Sequence, residues 1–251
     1  MKTREIKVKS ILGKSKILDY CINPYVGCQH GCLYCYAEYY TRRFRQFKEK
    51  WGSFVEVKIN APEVLEKEIK KREMSSVYLS SMTDAYQPVE SRYNITRKTI
   101  EILVKNEWPF VIQTKSPLVL RDLDILKGYN NVEIGFTIIT VDEQKRKLLE
   151  PNSPSIESRF KALEVLNKNK IKTFVFIGPI IRPLVSMNEI FSIMKKSKVV
   201  GTKKIFFDKL NVYPNVKQNL KKINFQLDNS DTKTKILEFS KKLKINPVFV
   251  F

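Results

Sequence analysis

Residues 27–37 read GCQHGCLYCYA and carry three of the chain's four cysteines, Cys28, Cys32 and Cys35, with the fourth, Cys21, just upstream. Thiols gathered this tightly suit metal binding or redox work better than packing. A structural zinc site needs four closed ligands. Cys21 or His30, the single histidine, would complete one, although no second ligand pair follows after a longer spacer. Cys32 and Cys35 also form a C-x-x-C pair, but no thioredoxin-like context surrounds it. The remaining chemistry is an iron–sulfur cluster. A cubane [4Fe–4S] cluster is normally held by four cysteines, so three would leave one iron without a protein ligand. An open coordination position is where a substrate or cofactor binds, as at catalytic zinc. Gly27 and Gly31 would let the backbone fold closely around such a cluster, while Tyr34 and Tyr36 would wall it from water. That arrangement suits an enzyme better than an electron carrier.

A loop of this kind needs a frame. Short apolar runs alternate with longer amphipathic stretches: VYLSS (77–81) follows PEVLEKEIKKREM, and PFVIQTKS (109–116) follows ITRKTIEILVKNEW. VEIGFTIIT (132–140) follows RDLDILKGY, KTFVFIGPIIRP (172–183) follows SRFKALEVLNKNK, and IFFDKL (205–210) follows NEIFSIMKKSK. Strands separated by single helices indicate βαβ units and a parallel sheet. The fold class is therefore α/β, either a doubly wound open sheet or a β/α barrel. Both bind ligands at the carboxyl ends of their strands. Polar residues end the apolar runs there: Ser80, Ser81, Thr83 and Asp84, then Thr114, Lys115 and Ser116, then Thr137 and Thr140. From Asn211 the alternation weakens into turn residues and mixed charge. A single helix, ILEFSKKLK, and a closing strand, INPVFVF, are expected beyond it.

The composition is that of a globular domain, 43% hydrophobic and 11% aromatic in 251 residues. No run approaches eighteen apolar residues, and the basic N-terminus lacks the apolar core of a signal peptide. A cytoplasmic protein with reduced thiols and no membrane span is the expectation. The formal net charge is +20, and residues 151–251 hold 20 Lys and Arg against 7 Asp and Glu. Such a field favours polyanions, nucleic acid first. A zinc-stabilised nucleic-acid-binding protein without catalysis therefore remains an alternative to the enzyme.

The string Cys28-Gln-His-Gly-Cys32-Leu-Tyr34-Cys35 resembles the signature of radical S-adenosylmethionine (SAM) enzymes. The wider CINPYVGCQHGCLYCYAEYY is similar to the branch related to spore photoproduct lyase, labelled DNA repair photolyase-like. MTDAYQPVE, TRKTIEIL, QTKSPLVLRDLDIL, FTIIT, LLEPNSPSIESRFKALEVL and GPIIRP agree with that branch. The resemblance, over about residues 20–185, implies a partial (β/α)6 TIM-like barrel. Its radical SAM core would span 1–210, with the cluster loop at 21–40 and a C-terminal extension, 211–251, packed on it. Cys28, Cys32 and Cys35 would hold a [4Fe–4S] cluster. Reductive cleavage of SAM would give methionine and a 5′-deoxyadenosyl radical that abstracts hydrogen from a substrate. The basic C-terminal half favours nucleic acid, DNA or RNA, as that substrate; a protein or small molecule is the alternative. The electron would come from a donor such as ferredoxin or flavodoxin. By position, Tyr34 would lie against the adenine, Ser80 and Ser81 would meet the SAM amino group, Lys115 the carboxylate and Thr137 the ribose. Asp84, Tyr86 and Gln87 fall in a branch motif without an assigned role. Spore photoproduct lyase carries a cysteine at the end of its second strand. LSSMTDAY has none, which argues against that lyase's own reaction here.

Overall fold

The computed structural model describes residues 1–45, 47–223 and 232–250. The first strands are β1 (Lys2–Ile6), β2 (Leu12–Lys14), β3 (Tyr20–Ile22) and β4 (Tyr25–Val26), followed by helix α1 (Tyr36–Arg45). Then come β5 (Phe54–Lys58), α2 (Ala61–Ile69), β6 (Val77–Leu79), α3 (Glu90–Tyr93) and α4 (Ile95–Lys105). The middle of the chain forms β7 (Phe110–Thr114), α5 (Leu123–Leu126), β8 (Val132–Thr137), α6 (Glu143–Leu149), α7 (Ile156–Lys168) and β9 (Lys172–Ile180). The last elements are α8 (Met187–Val199), β10 (Lys204–Lys209), α9 (Pro214–Lys221), α10 (Thr232–Leu243) and β11 (Asn246–Phe249).

The main sheet runs β11-β10-β9-β8-β7-β6-β3-β2. All its pairs are parallel except the edge strand β2, which runs antiparallel to β3. Six strands from β3 to β10 follow the order expected of an open, barrel-like α/β sheet. Ile22, Leu79, Ile112, Ile134, Val175 and Phe207 are buried along it, as continuous apolar runs in a helix-covered parallel sheet should be. A smaller sheet, β1-β5-β4, flanks the loop that follows β4.

The helices start where side chains can satisfy free N–H groups. Ser186 and Glu189 form a reciprocal capping box on α8, and Ser155 caps α7. Two segments differ from the sequence expectation. RDLDILKGY does not make one regular helix: a 3-10 turn over Pro117–Asp122 precedes the single turn of α5. The turn-like stretch after Asn211 contains α9, because Pro214 opens it and Val216 and Leu220 bury one face. Residues 224–231 of that stretch, and the final residue of INPVFVF, lie outside the described residues. Its closing strand β11 joins the main sheet in parallel with β10, from Asn246↔Lys204 to Phe249↔Phe207.

Candidate active site

The loop between β4 and α1 carries Cys28, Cys32 and Cys35, close enough to act on one another, while Cys21 lies outside it on β3. Its turns are tight: Gly31 N donates to the Cys28 carbonyl at 3.3 Å and Cys35 N to the Cys32 carbonyl at 3.2 Å. Both glycines have positive φ, +82° at Gly27 and +62° at Gly31, which side chains rarely tolerate. A Cβ on Gly27 would meet the Phe54 carbonyl oxygen at 2.7 Å. Burial first, then Cys28, pushes the Cys35 thiol up to about 12; burial above all holds Cys32 well above its ordinary value, with Lys115 opposing and Glu150, Cys35 and Cys28 adding to it. Cys21 lies on β3 beside Tyr78 of β6, its Sγ 3.1 Å from Ser81 Oγ and 3.2 Å from Asn23 Nδ2. The thiols thus divide three and one.

This donor set fits an iron–sulfur cluster. Three free, largely buried thiols that make each other costly to ionise gain from a cation that takes the thiolates. Among the described residues no three His, Cys, Asp or Glu side chains converge as a single metal ion requires. A cluster, by contrast, spreads its thiolate ligands over separate irons. The second site observation is Ser80. It is 6% exposed, sits at φ +72°, and its buried Oγ has no partner among the described residues. A strained residue with an orphaned hydroxyl at a strand end marks a place shaped for a ligand.

Charged groups line the ends of β7 and β8. Lys115 Nζ stands 4.0 Å from Glu150 Oε1 and 5.8 Å from the centre of the Tyr34 ring. The Tyr34 hydroxyl donates to Glu150. The other oxygen of Glu150 accepts from Arg159 Nη2 at 2.5 Å, and Arg159 Nη1 donates to the Thr137 carbonyl at 2.9 Å. Burial opposes the charge of Glu150, but Arg159 and Lys115 outweigh it and hold the carboxyl at about 2. Burial likewise opposes the Lys115 ammonium, which Cys32 and Glu150 nevertheless keep protonated. Because Arg159 occupies Glu150 closely, Lys115 keeps a cationic end only loosely paired. Thr137 Oγ1 accepts from Gln113 Nε2 at 3.0 Å.

The branch motif acquires roles. Asp84 accepts from the Tyr86 N–H at 2.9 Å, Thr114 Oγ1 at 2.7 Å and the Lys115 N–H at 2.9 Å. It thereby ties the end of β6 to the end of β7. Its second oxygen is 3.3 Å from His30 Nδ1, an ion-pair separation without hydrogen-bond alignment. Gln87 Oε1 accepts from the Gln29 N–H at 2.8 Å, and Gln29 Oε1 accepts from the Val89 N–H at 2.5 Å. Tyr86 donates to Asp122 at 2.9 Å. Helix α9 braces the loop from the other side: Asn215 donates to the Cys35 carbonyl at 3.1 Å and Asn219 to the Leu33 carbonyl at 3.2 Å. Sequence reasoning missed Glu150, Arg159, Asn215 and Asn219. The first two stand in LLEPNSPSIESRF, a string that already agreed with the branch.

Residues 22–196 match the family model for the Radical SAM superfamily. The chain belongs to that superfamily. Membership implies SAM and an iron–sulfur cluster, and makes the chain an enzyme. An uncharacterized protein of Methanocaldococcus jannaschii is 39% identical over 188 residues, covering 74% of this chain and 70% of the relative. A Radical SAM Nalpha-GlyT isomerase of Pseudomonas phage M6 is 23% identical over 180 residues, 71% of this chain and 36% of its own. Among solved structures, spore photoproduct lyase complexed with dinucleoside spore photoproduct superposes with a TM-score of 0.74 at 15% identity, over 99% of this chain and 82% of that one. That likeness shows the fold, an α/β radical SAM architecture consistent with a partial TIM-like barrel. Among the described residues no helix is long and apolar enough to cross a membrane.

Proposed function

We propose that the protein is a radical SAM enzyme whose [4Fe–4S] cluster is held by Cys28, Cys32 and Cys35, and that its substrate is a nucleic acid. The observation that carries the first half is the division of thiols, three on the glycine-hinged loop and Cys21 engaged elsewhere. When bound and reduced, the cluster and SAM supply a 5′-deoxyadenosyl radical for hydrogen abstraction. The protein's share is to bind, orient and exclude water. Ser80 offers its unpartnered hydroxyl to the SAM amino group, with Ser81 beside it, and Lys115 offers its loosely paired charge to the carboxylate. Thr137 would meet the ribose, and Tyr34, held by Glu150, would wall the adenine side.

Nucleic acid is favoured by aromatics that climb away from the loop along α1. Tyr36, Tyr40 and Phe44 follow at every fourth residue, the first pair edge-on at 6.4 Å and the second stacked at 6.4 Å. Tyr213 packs against Tyr39 and Tyr40 at 5.2 and 5.5 Å, and Phe44 is 74% exposed. Arg42, Arg43 and Arg45 punctuate the helix. Exposed rings among cations are what a single strand stacks upon. The dinucleoside ligand of the lyase structure has the same chemical character. The test is anaerobic: dithionite-reduced, iron-loaded protein with SAM should release 5′-deoxyadenosine, with deuterium transferred from a labelled oligonucleotide. Release without transfer from any DNA or RNA would favour a protein or small-molecule substrate; no release would refute the enzyme.

A further inference from the structure

The small sheet β1-β5-β4 carries a cleft of about 400 Å³ that none of the proposed SAM contacts lines. Four cations stand around it, Lys2, Arg4, Arg45 and Lys48, against two carboxylates, Glu49 and Glu56. The carboxylates order the cations without cancelling them. Glu49 binds Lys2 at 2.9 Å and Arg4 at 2.8 Å, and Glu56 binds Arg45 at 3.3 Å. Lys48 is exposed, and no carboxylate partner is seen for it among the described residues. A surface of this kind attracts an anionic partner and orients it.

The floor of the cleft is what gives it meaning. Phe47 and Phe54 form it, their rings 4.2 Å apart. The same Phe54 packs with Cys28, Ala37 and Trp51 in a small apolar cluster that Phe47 and Cys35 join. Phe54 also crowds Gly27, the residue before Cys28. One aromatic layer therefore separates the basic cleft from two of the three thiols. Phe54 is buried in that layer, and no chemistry proposed for SAM or substrate uses it.

We infer that this cleft is the docking surface for a small acidic one-electron carrier protein, which reduces the cluster through the Phe47–Phe54 layer. The inference rests on the cluster assignment proposed above. The carrier is oxidised by one electron and the cluster reduced by one; no bond forms or breaks. A nucleic-acid strand needs exposed rings to stack on, and the rings lining the cleft are the buried Phe54 and the half-buried Phe47. The exposed rings of α1 meet that need instead.

The probe is an acidic ferredoxin, titrated against the full chain with and without its cluster. Affinity should fall as salt rises, and Lys2→Glu/Lys48→Glu should weaken it by about tenfold or more. Lys48→Glu alone disrupts no ion pair and serves if the double variant fails to fold. Lys235→Glu, on α10, should leave binding unchanged. With iron-loaded protein, ferredoxin-driven 5′-deoxyadenosine formation should fall in step with affinity, while the dithionite-driven rate stays within about twofold of the unaltered protein. Unchanged ferredoxin affinity in the folded variants would overturn the inference. So would an equal loss under dithionite, or a loss of oligonucleotide binding in place of ferredoxin binding. Failure of the unaltered protein to form 5′-deoxyadenosine with dithionite would count instead against the function proposed above.

Discussion

Replacing Arg159 by methionine should unsettle the site from beneath. Arg159 is 1% exposed and closes on Glu150 at 2.5 Å, on Ser153 Oγ at 2.6 Å and on the Pro154 carbonyl at 2.8 Å. Without it a buried carboxylate keeps only the Tyr34 hydroxyl, the Ser153 hydroxyl at 3.1 Å and Lys115 at 4.0 Å. The magnitude follows from the carboxyl itself, held at about 2 rather than its usual 4.5. At 1.36 kcal/mol per tenfold this is about 3 kcal/mol of stability at neutral pH, for which Arg159 is the largest favourable cause. Breaking one side of a buried ion pair costs about 3–5 kcal/mol by comparison. In urea, at a slope of about 3 kcal/mol per molar, the midpoint should drop by about 1 M. The pH dependence carries the sign. A depressed carboxyl contributes fully above its unfolded value and loses that contribution as pH falls from about 4.5 toward 2. The gap between the two proteins should therefore be widest near pH 7 and close on acidification. Adding Glu150→Gln to Arg159→Met should recover much of the loss, since no carboxylate then stays buried without its closest partner. Urea unfolding of the metal-free proteins from pH 3 to 7 measures all of this. A gap under about 1 kcal/mol at pH 7, or one unchanged at pH 3, would refute the reasoning.

Ser80→Gly should relieve the left-handed strain at φ +72° and hold or raise stability by up to about 1 kcal/mol, while SAM affinity measured by equilibrium dialysis falls because the hydroxyl is gone. Equal SAM binding would remove Ser80 from the site. Phe44→Ala, at a ring 74% exposed, should cost little stability but weaken a single-stranded oligonucleotide by about 1–3 kcal/mol, about 5- to 150-fold, if one base stacks there. Fluorescence anisotropy would show it, and unchanged affinity would move the nucleic-acid path elsewhere.

Much of the frame was legible because buried parallel strands leave continuous apolar runs. FVFIGPII announced β9, and the polar residues after VYL and FVIQ marked the ligand edge. The three cysteines were legible because their spacing has few other uses. What stayed hidden depends on distance in sequence. Glu150 reaches Tyr34 across 116 positions, and no local pattern predicts such a pair. Asn215 and Asn219 looked like turn formers after Asn211, yet on α9 their spacing of four puts both on the cluster loop. Gln29 and Gln87 brace the loop through a mutual set of backbone bonds that polar residues in a turn-rich motif do not reveal.

The proposed chemistry stands or falls on three thiols serving where four would close the cluster. Iron and sulfide content after anaerobic reconstitution, compared across the four cysteine-to-alanine variants, tests it most directly. Cys21→Ala should keep about four irons per chain, as the unaltered protein does, whereas Cys28→Ala, Cys32→Ala and Cys35→Ala should each lose the cluster. Zinc in place of iron, or a Cys21→Ala protein that can no longer hold its irons, would contradict it.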